Sequence, residues 1–145
     1  MDHVVYVDTK AKELENILSG SKTMILRGAT GRKVPYGRVN AGDTLYFIRN
    51  NAEGCFKATA RVSDVLNSDK MDKEASIKLI DLHQPCLQLT PAQYKRWAGK
   101  RYLCLITITS PEEIRPFRFN QGDFKNMDDW LVLDNIDQVR GETVS

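Results

Sequence analysis

The stretch ILSGSKTMILRGATGRK, residues 17 to 33, carries four cations and no carboxylate. It begins as the end of a helix: Ala11, Leu14, Ile17 and Leu18 recur on one helical face, Asp8 or Thr9 can cap the start, and Gly20 supplies a left-handed stop. TMILR then alternates as a strand, which sets Met24 and Leu26 on one face and Thr23, Ile25 and Arg27 on the other. Lys22 therefore falls between helix and strand. Arg32 and Lys33 fall in GATGRKVPYGRVNAGD, a loop with four glycines and a proline, with room for a brief strand around Val39. A loop of this length inside a compact domain is usually functional.

The flanking sequence supplies the rest of the architecture. HVVYV is a β-branched strand, and TLYFIRN and CFKATARVSDVL are strands joined through NNAEG as a hairpin. MDKEASIKLIDLHQ spaces Ile77, Leu79, Ile80 and Leu82 for a helix packed on the sheet. TPAQYKRWAGK has Thr90 as N-cap, Pro91 at the first helical position, Gln93 completing a capping box and Gly99 as the stop. RYLCLITI is a nearly unbroken apolar run, which implies burial on both faces. RPFRF reads as a further strand, and MDDWLVLDNIDQVRG as a closing short strand or helix. This order predicts an α+β fold, a mostly antiparallel curled sheet or small barrel with flanking helices, and excludes the regular strand–helix alternation of a parallel α/β protein.

At 145 residues the chain forms one domain, 1–145, and its 41% hydrophobic and 28% charged content is that of a globular protein. No apolar run is long enough to cross a bilayer, and MDHVVYVDTKAKE lacks the basic-then-apolar order of a signal peptide. A cytoplasmic location with no membrane partner is expected. Cys55, Cys86 and Cys104 are odd in number and widely spaced, which predicts core packing rather than disulfides. His3 and His83 have no partner at metal-ligand spacing, and no phosphate-cradling or nucleophile-elbow motif is present, so neither a metal nor a cofactor is expected.

Net charge is only +2, but its distribution is uneven. Lys22, Arg27, Arg32, Lys33 and Arg38 follow one another without an acid, whereas Asp123 to Asp137 holds five aspartates against one lysine. One positive surface is the footprint expected for phosphate or nucleic acid; a solvated, arginine-rich loop gives the same pattern. The adjacent pairs Glu112 with Glu113 and Asp128 with Asp129 point apart in regular structure and read as surface charge. QYKRWAGKRY interleaves Tyr94, Trp97 and Tyr102 with Lys95, Arg96, Lys100 and Arg101, the composition of a stacking platform, although Trp97 also suits a core anchor. Tyr36, beside Lys33 and Arg38, either stacks on a base or anchors its loop.

A helix, then GSKTMILR, then a loop, then AGDTLYF resembles the ASCH domain of the PUA-like superfamily over about residues 1 to 110. Gly20, Lys22 and Arg27 match the family pattern G-x-K-x-x-E-x-R, Ile25 stands at its acidic position, and Gly42 with Asp43 matches a recurrent GD before a hairpin. The resemblance implies a five- or six-stranded PUA-like β-barrel with helices around it, and a cleft beside the first helix and the loop after the second strand. It also implies RNA binding or RNA-related regulation. Some small bacterial members deacylate N4-acetylcytidine, with the lysine matching Lys22 central and assisted by a threonine matching position 25 and a later glutamate; others are nucleases. The reading is an RNA- or nucleotide-binding module whose cleft is lined by Lys22, Arg27, Arg32, Lys33, Tyr36 and Arg38. The alternatives are a small hydrolase acting through Lys22 on RNA or a modified nucleoside, and a protein-interaction domain.

Overall fold

The computed structural model describes residues 1–122, 124 and 128–144. Asp123 and Lys125, two of the charges counted in the sequence, lie outside the described residues. In chain order the elements are β1 (Asp2–Val7), α1 (Glu13–Ser19), β2 (Met24–Ala29), β3 (Thr44–Arg49), β4 (Cys55–Asn67), α2 (Lys73–Leu87), α3 (Pro91–Trp97), β5 (Tyr102–Phe119), β6 (Trp130–Leu133), a 3₁₀ turn (Ile136–Val139) and β7 (Arg140–Thr143). The sheet order is β2-β5-β4-β3-β1-β6, with β7 also on β5. Among the described strands only β1 with β3 is parallel. The sheet is strongly curled into a half-barrel, with β2 and β6 at its two ends.

The period-two pattern of the opening stretch sets which side chains the curl encloses. Ile25 points into the concave core with Leu45, Phe47, Cys104 and Ile106, while Met24 and Leu26 point outward beneath α2 and α3 with Ile80, Leu87 and Trp97. Leu103 and Leu105 alternate in the same way against Cys104 and Ile106, so β5 is buried on both faces as its sequence predicts. α1 contributes Leu14 and Ile17 to the concave core. A third cluster, with Tyr46, Ile48, Phe56 and Phe117, covers the opposite face of the sheet under the C-terminal strands.

Several local expectations shift. α1 starts at Glu13, after Lys12 in the left-handed region, so Asp8 accepts from the Ala11 amide ahead of the helix instead of capping it. Val39 is buried but lies in no strand, and RPFRF continues β5 instead of forming a strand of its own. Leu82 is 73% exposed, so the apolar stripe of α2 is narrower than its spacing suggested. The Thr90 to Gln93 capping box and the Gly99 stop are present. All three cysteines are free; Cys55 and Cys104 are buried, whereas Cys86 is exposed.

Candidate functional site

Arg27 shares the concave face with Ile25 because it lies two positions further along β2, with Leu26 alone between them. Its backbone belongs to one end of the sheet, yet its guanidinium reaches the other. Nη2 donates to the Tyr6 carbonyl on β1 at 2.7 Å, and Nη1 donates to the Leu26 carbonyl at 2.9 Å. Asp129, at the entry to β6, places Oδ2 3.0 Å from Nε, close enough for charge pairing but off the N–H axis, so that N–H has no aligned acceptor among the described residues. The indole rings of Trp97 and Trp130 lie 6.0 and 5.5 Å from the guanidinium carbon. A buried arginine is tolerated when its fork is spent on carbonyls, a carboxylate and aromatic faces. Arg27 thus clasps the two ends of the curled sheet.

On one side of this clasp lies a cleft of about 380 Å³, between the end of β2, the glycine-rich loop, α3 and the start of β5. Gly28 forms part of its lining, and a Cβ there would sit 2.7 Å from a Leu103 methyl, so the strand approaches β5 closely at that point. Tyr36 and Tyr102 meet edge to face at 5.5 Å, and the Arg32 guanidinium lies 6.0 and 5.7 Å from their ring centres. The Tyr36 hydroxyl donates to the Ser68 carbonyl, which anchors the loop. Opposite them Arg96 stacks on Trp97 at 4.2 Å and reaches Asp129 at 3.5 Å. Lys33 pairs with Asp128, both largely exposed, and that hydrogen bond and charge raise the lysine pKa. A second cleft, of about 330 Å³, shares Arg27, Arg96, Trp97, Asp128 and Asp129 and extends to Glu13 and Gln93.

This fold has solved relatives. Over 94% of this chain and 91% of theirs, the coordinates superpose on the crystal structure of an ASCH protein from Zymomonas mobilis with a TM-score of 0.67 at 14% identity. A single-residue mutant of that protein gives a TM-score of 0.70 at 15% identity, over 94% of this chain and 93% of that one. The chain has the ASCH fold. No protein-family model matches the sequence, and no curated protein does.

Within the ASCH half-barrel the residues expected to form one cationic cleft divide. Arg27, Lys33 and Tyr36 line it, and Arg32 covers its tyrosine wall. Arg38 is exposed and outside the lining. Lys22 is only 2% exposed, and its ammonium donates to the Leu87 carbonyl, the last residue of α2, with Glu13 Oε2 at 3.5 Å. Glu13 in turn accepts from the Asp8 amide at 3.1 Å and from Gln93 at 3.3 Å. Burial lowers the Lys22 pKa, and Glu13 offsets part of that shift. Lys22 therefore ties α1 to the negative end of α2 and lines neither cleft. Ile25 is fully buried in the concave core.

Sequence reasoning missed Asp128 and Asp129 as counter-ions of the cleft cations, and it missed what His3 does. Trp130 Nε1 donates to His3 Nδ1 at 3.0 Å, and His3 Nε2 lies 2.8 Å from Asp43 Oδ2. An indole only donates, so Nδ1 must be bare and Nε2 must carry the proton: the histidine is neutral. Burial lowers its pKa against the opposing pull of Asp43. Burial also pushes Asp43 up, but hydrogen bonds from His3 and the Asn40 amide outweigh it and hold the carboxyl below its usual value. The GD pair thus ends in a carboxylate that orients His3, hence Trp130, hence one face of Arg27.

A stability consequence follows from the depressed His3 pKa. The unfolded chain takes up the proton first, so stability is full above pH 6.5 and declines as pH falls below 6.5 through the folded-state value. Protonation would set Nδ1–H against Trp130 Nε1–H. His3→Gln offers one acceptor and one donor without titrating, and is expected to remove this acid step while leaving the later one, below pH 3.8, that belongs to Asp43. Melting curves between pH 7 and 4 check it; identical acid limbs in both proteins would exclude His3 as the cause.

Proposed function

We propose that the cleft beside Arg27 binds a nucleotide of single-stranded RNA. The observation that carries this reading is the pairing of aromatic and guanidinium groups on two walls: Arg32 over Tyr36 and Tyr102, and Arg96 on Trp97. Unstacked bases are held by such surfaces, with stacking worth about 1–3 kcal/mol per base. Arg96 and Lys33, 63% exposed each, are free to swing toward a phosphate. Their present carboxylate partners hold them weakly, since exposed pairs contribute about 0–1 kcal/mol. The ASCH fold supports a module of this kind without specifying its ligand.

Binding is favoured over turnover by the position of Lys22. Its ammonium is enclosed and already bonded to Leu87 and Glu13, and position 25 is an aliphatic side chain in the core. Neither can meet a substrate in the cleft, so wild-type protein is expected to leave N4-acetylcytidine intact on prolonged incubation. Product detected by mass spectrometry and abolished by Lys22→Ala would reverse this reading.

Fluorescence anisotropy with a short labelled RNA tests the binding itself. Arg32→Ala with Arg96→Ala is expected to weaken affinity and reduce the slope of log K against log salt by about 0.7 for each phosphate that is no longer neutralised. Arg38→Ala, outside the cleft, is expected to change the slope little. An unchanged slope in the double variant would remove these walls from the binding surface.

A further inference from the structure

A groove of about 550 Å³ lies on the face of the sheet opposite the concave core, sharing no lining residue with the two clefts at Arg27. Arg61, Arg115 and Arg140 surround it, Tyr46 and Phe117 supply apolar surface, and Glu112 is the one carboxylate in its lining among the described residues. The sequence builds it through TSPEEIRPFRF, residues 109 to 119, where Pro111 and Pro116 cannot donate to a ladder. Between Thr109 and Glu112 β5 carries one residue more than β4, and between Glu113 and Phe117 it carries two more. Ser110 at the first break has φ 53°, in the left-handed region. On a regular strand Ile114 and Arg115 would point to opposite faces. The breaks shift the phase, so Ile114, Arg115 and Phe117 all line the groove.

Two of the three guanidiniums are held in place. Arg61 Nη1 donates to the Gly42 carbonyl at 3.2 Å, and Arg140 donates to Asp137 at 2.7 Å while lying 4.1 Å above the Phe117 ring. Arg115 has no hydrogen-bond or ion-pair partner among the described residues. The Tyr46 phenol, half-buried, has its pKa raised by burial and so remains a neutral donor. Bulges and left-handed non-glycine residues cost ladder bonds and backbone strain, and they concentrate where side chains must be re-aimed for function. Here they fall along the groove and bring a third, unpaired arginine to two fixed ones. We propose that this groove is a second ligand site, which seats the phosphate of a small phosphomonoester on Arg61 and Arg115 and its flat ring against Tyr46 and the Arg140–Phe117 stack. A nucleoside monophosphate has that chemistry and fits the volume.

Titration of ¹⁵N-labelled protein with uridine monophosphate, uridine and inorganic phosphate, followed residue by residue by NMR, tests this independently of the Arg27 cleft. The monophosphate is expected to move the amides of Ser110, Glu112 to Arg115 and Phe117 saturably, binding about ten-fold tighter than either fragment. Arg61→Gln with Arg115→Gln, both exposed, is expected to weaken that response about ten-fold with an unchanged melting temperature, whereas Arg96→Ala leaves it intact. Silence of these amides overturns the proposal. So does equal binding of uridine, which would mean no phosphate recognition, or of phosphate alone, which would mean an adventitious ion only.

Discussion

Ile25→Glu is expected to unfold the protein at room temperature. Ile25 is fully buried in the concave core, in one cluster with Cys104, Ile106 and Phe47. The two cations that flank it in sequence are committed elsewhere: Lys22 to Leu87 and Glu13, Arg27 to Tyr6, Leu26 and Asp129. A carboxyl at this position meets no donor, so it is either buried charged or buried neutral and unsatisfied. Each costs several kcal/mol, against a total stability of about 5–15 kcal/mol for a domain of this size. Ile25→Val, which removes one methylene, is expected to cost only about 0.5–1.5 kcal/mol. Circular dichroism with chemical denaturation separates the two. A glutamate variant that melts within a few degrees of wild type would place position 25 outside the core and restore it as a cleft residue.

Arg27→Ala is the second large effect. It strips donors from the Tyr6 and Leu26 carbonyls, leaves Asp129 with Arg96 as its one cation among the described residues, and removes the group that Trp97 and Trp130 flank. Removing one partner from a buried, hydrogen-bonded charge cluster costs about 3–5 kcal/mol. Arg27→Lys is expected to recover only part of this, because one ammonium cannot serve two carbonyls and stack on indole at once. Urea denaturation gives the free energies. A loss under about 1 kcal/mol on Arg27→Ala would mean the two ends of the sheet do not need this clasp.

The elements that were legible in the sequence are those whose signals are local. Alternation in TMILR assigned Ile25 and Arg27 to one face, and the capping box and glycine stop fixed α3. The apolar run of β5 gave its burial on both sides. What escaped depended on pairing across the chain. Lys22 and Arg27 are five residues apart, but their carboxylates arrive from Glu13 and from Asp129, and no spacing rule connects those positions. The aspartate-rich segment looked like surface charge and supplies counter-ions to the cleft. His3 looked ordinary because its partners, Asp43 and Trp130, are 40 and 127 residues away. The prolines in β5 were visible, but the phase shift they impose on Arg115 is readable only once β4 fixes the register.

Both tryptophans of the chain, Trp97 and Trp130, flank Arg27, and Trp97 also lines the cleft, so intrinsic fluorescence reports directly on its occupancy. Titration of the unlabelled protein with a short single-stranded RNA is expected to quench this emission saturably, and Arg96→Ala, which uncovers Trp97 without touching the core, is expected to shift the midpoint upward by about ten-fold. Emission that stays constant to millimolar RNA, or a midpoint unmoved by Arg96→Ala, would contradict nucleotide binding at this cleft.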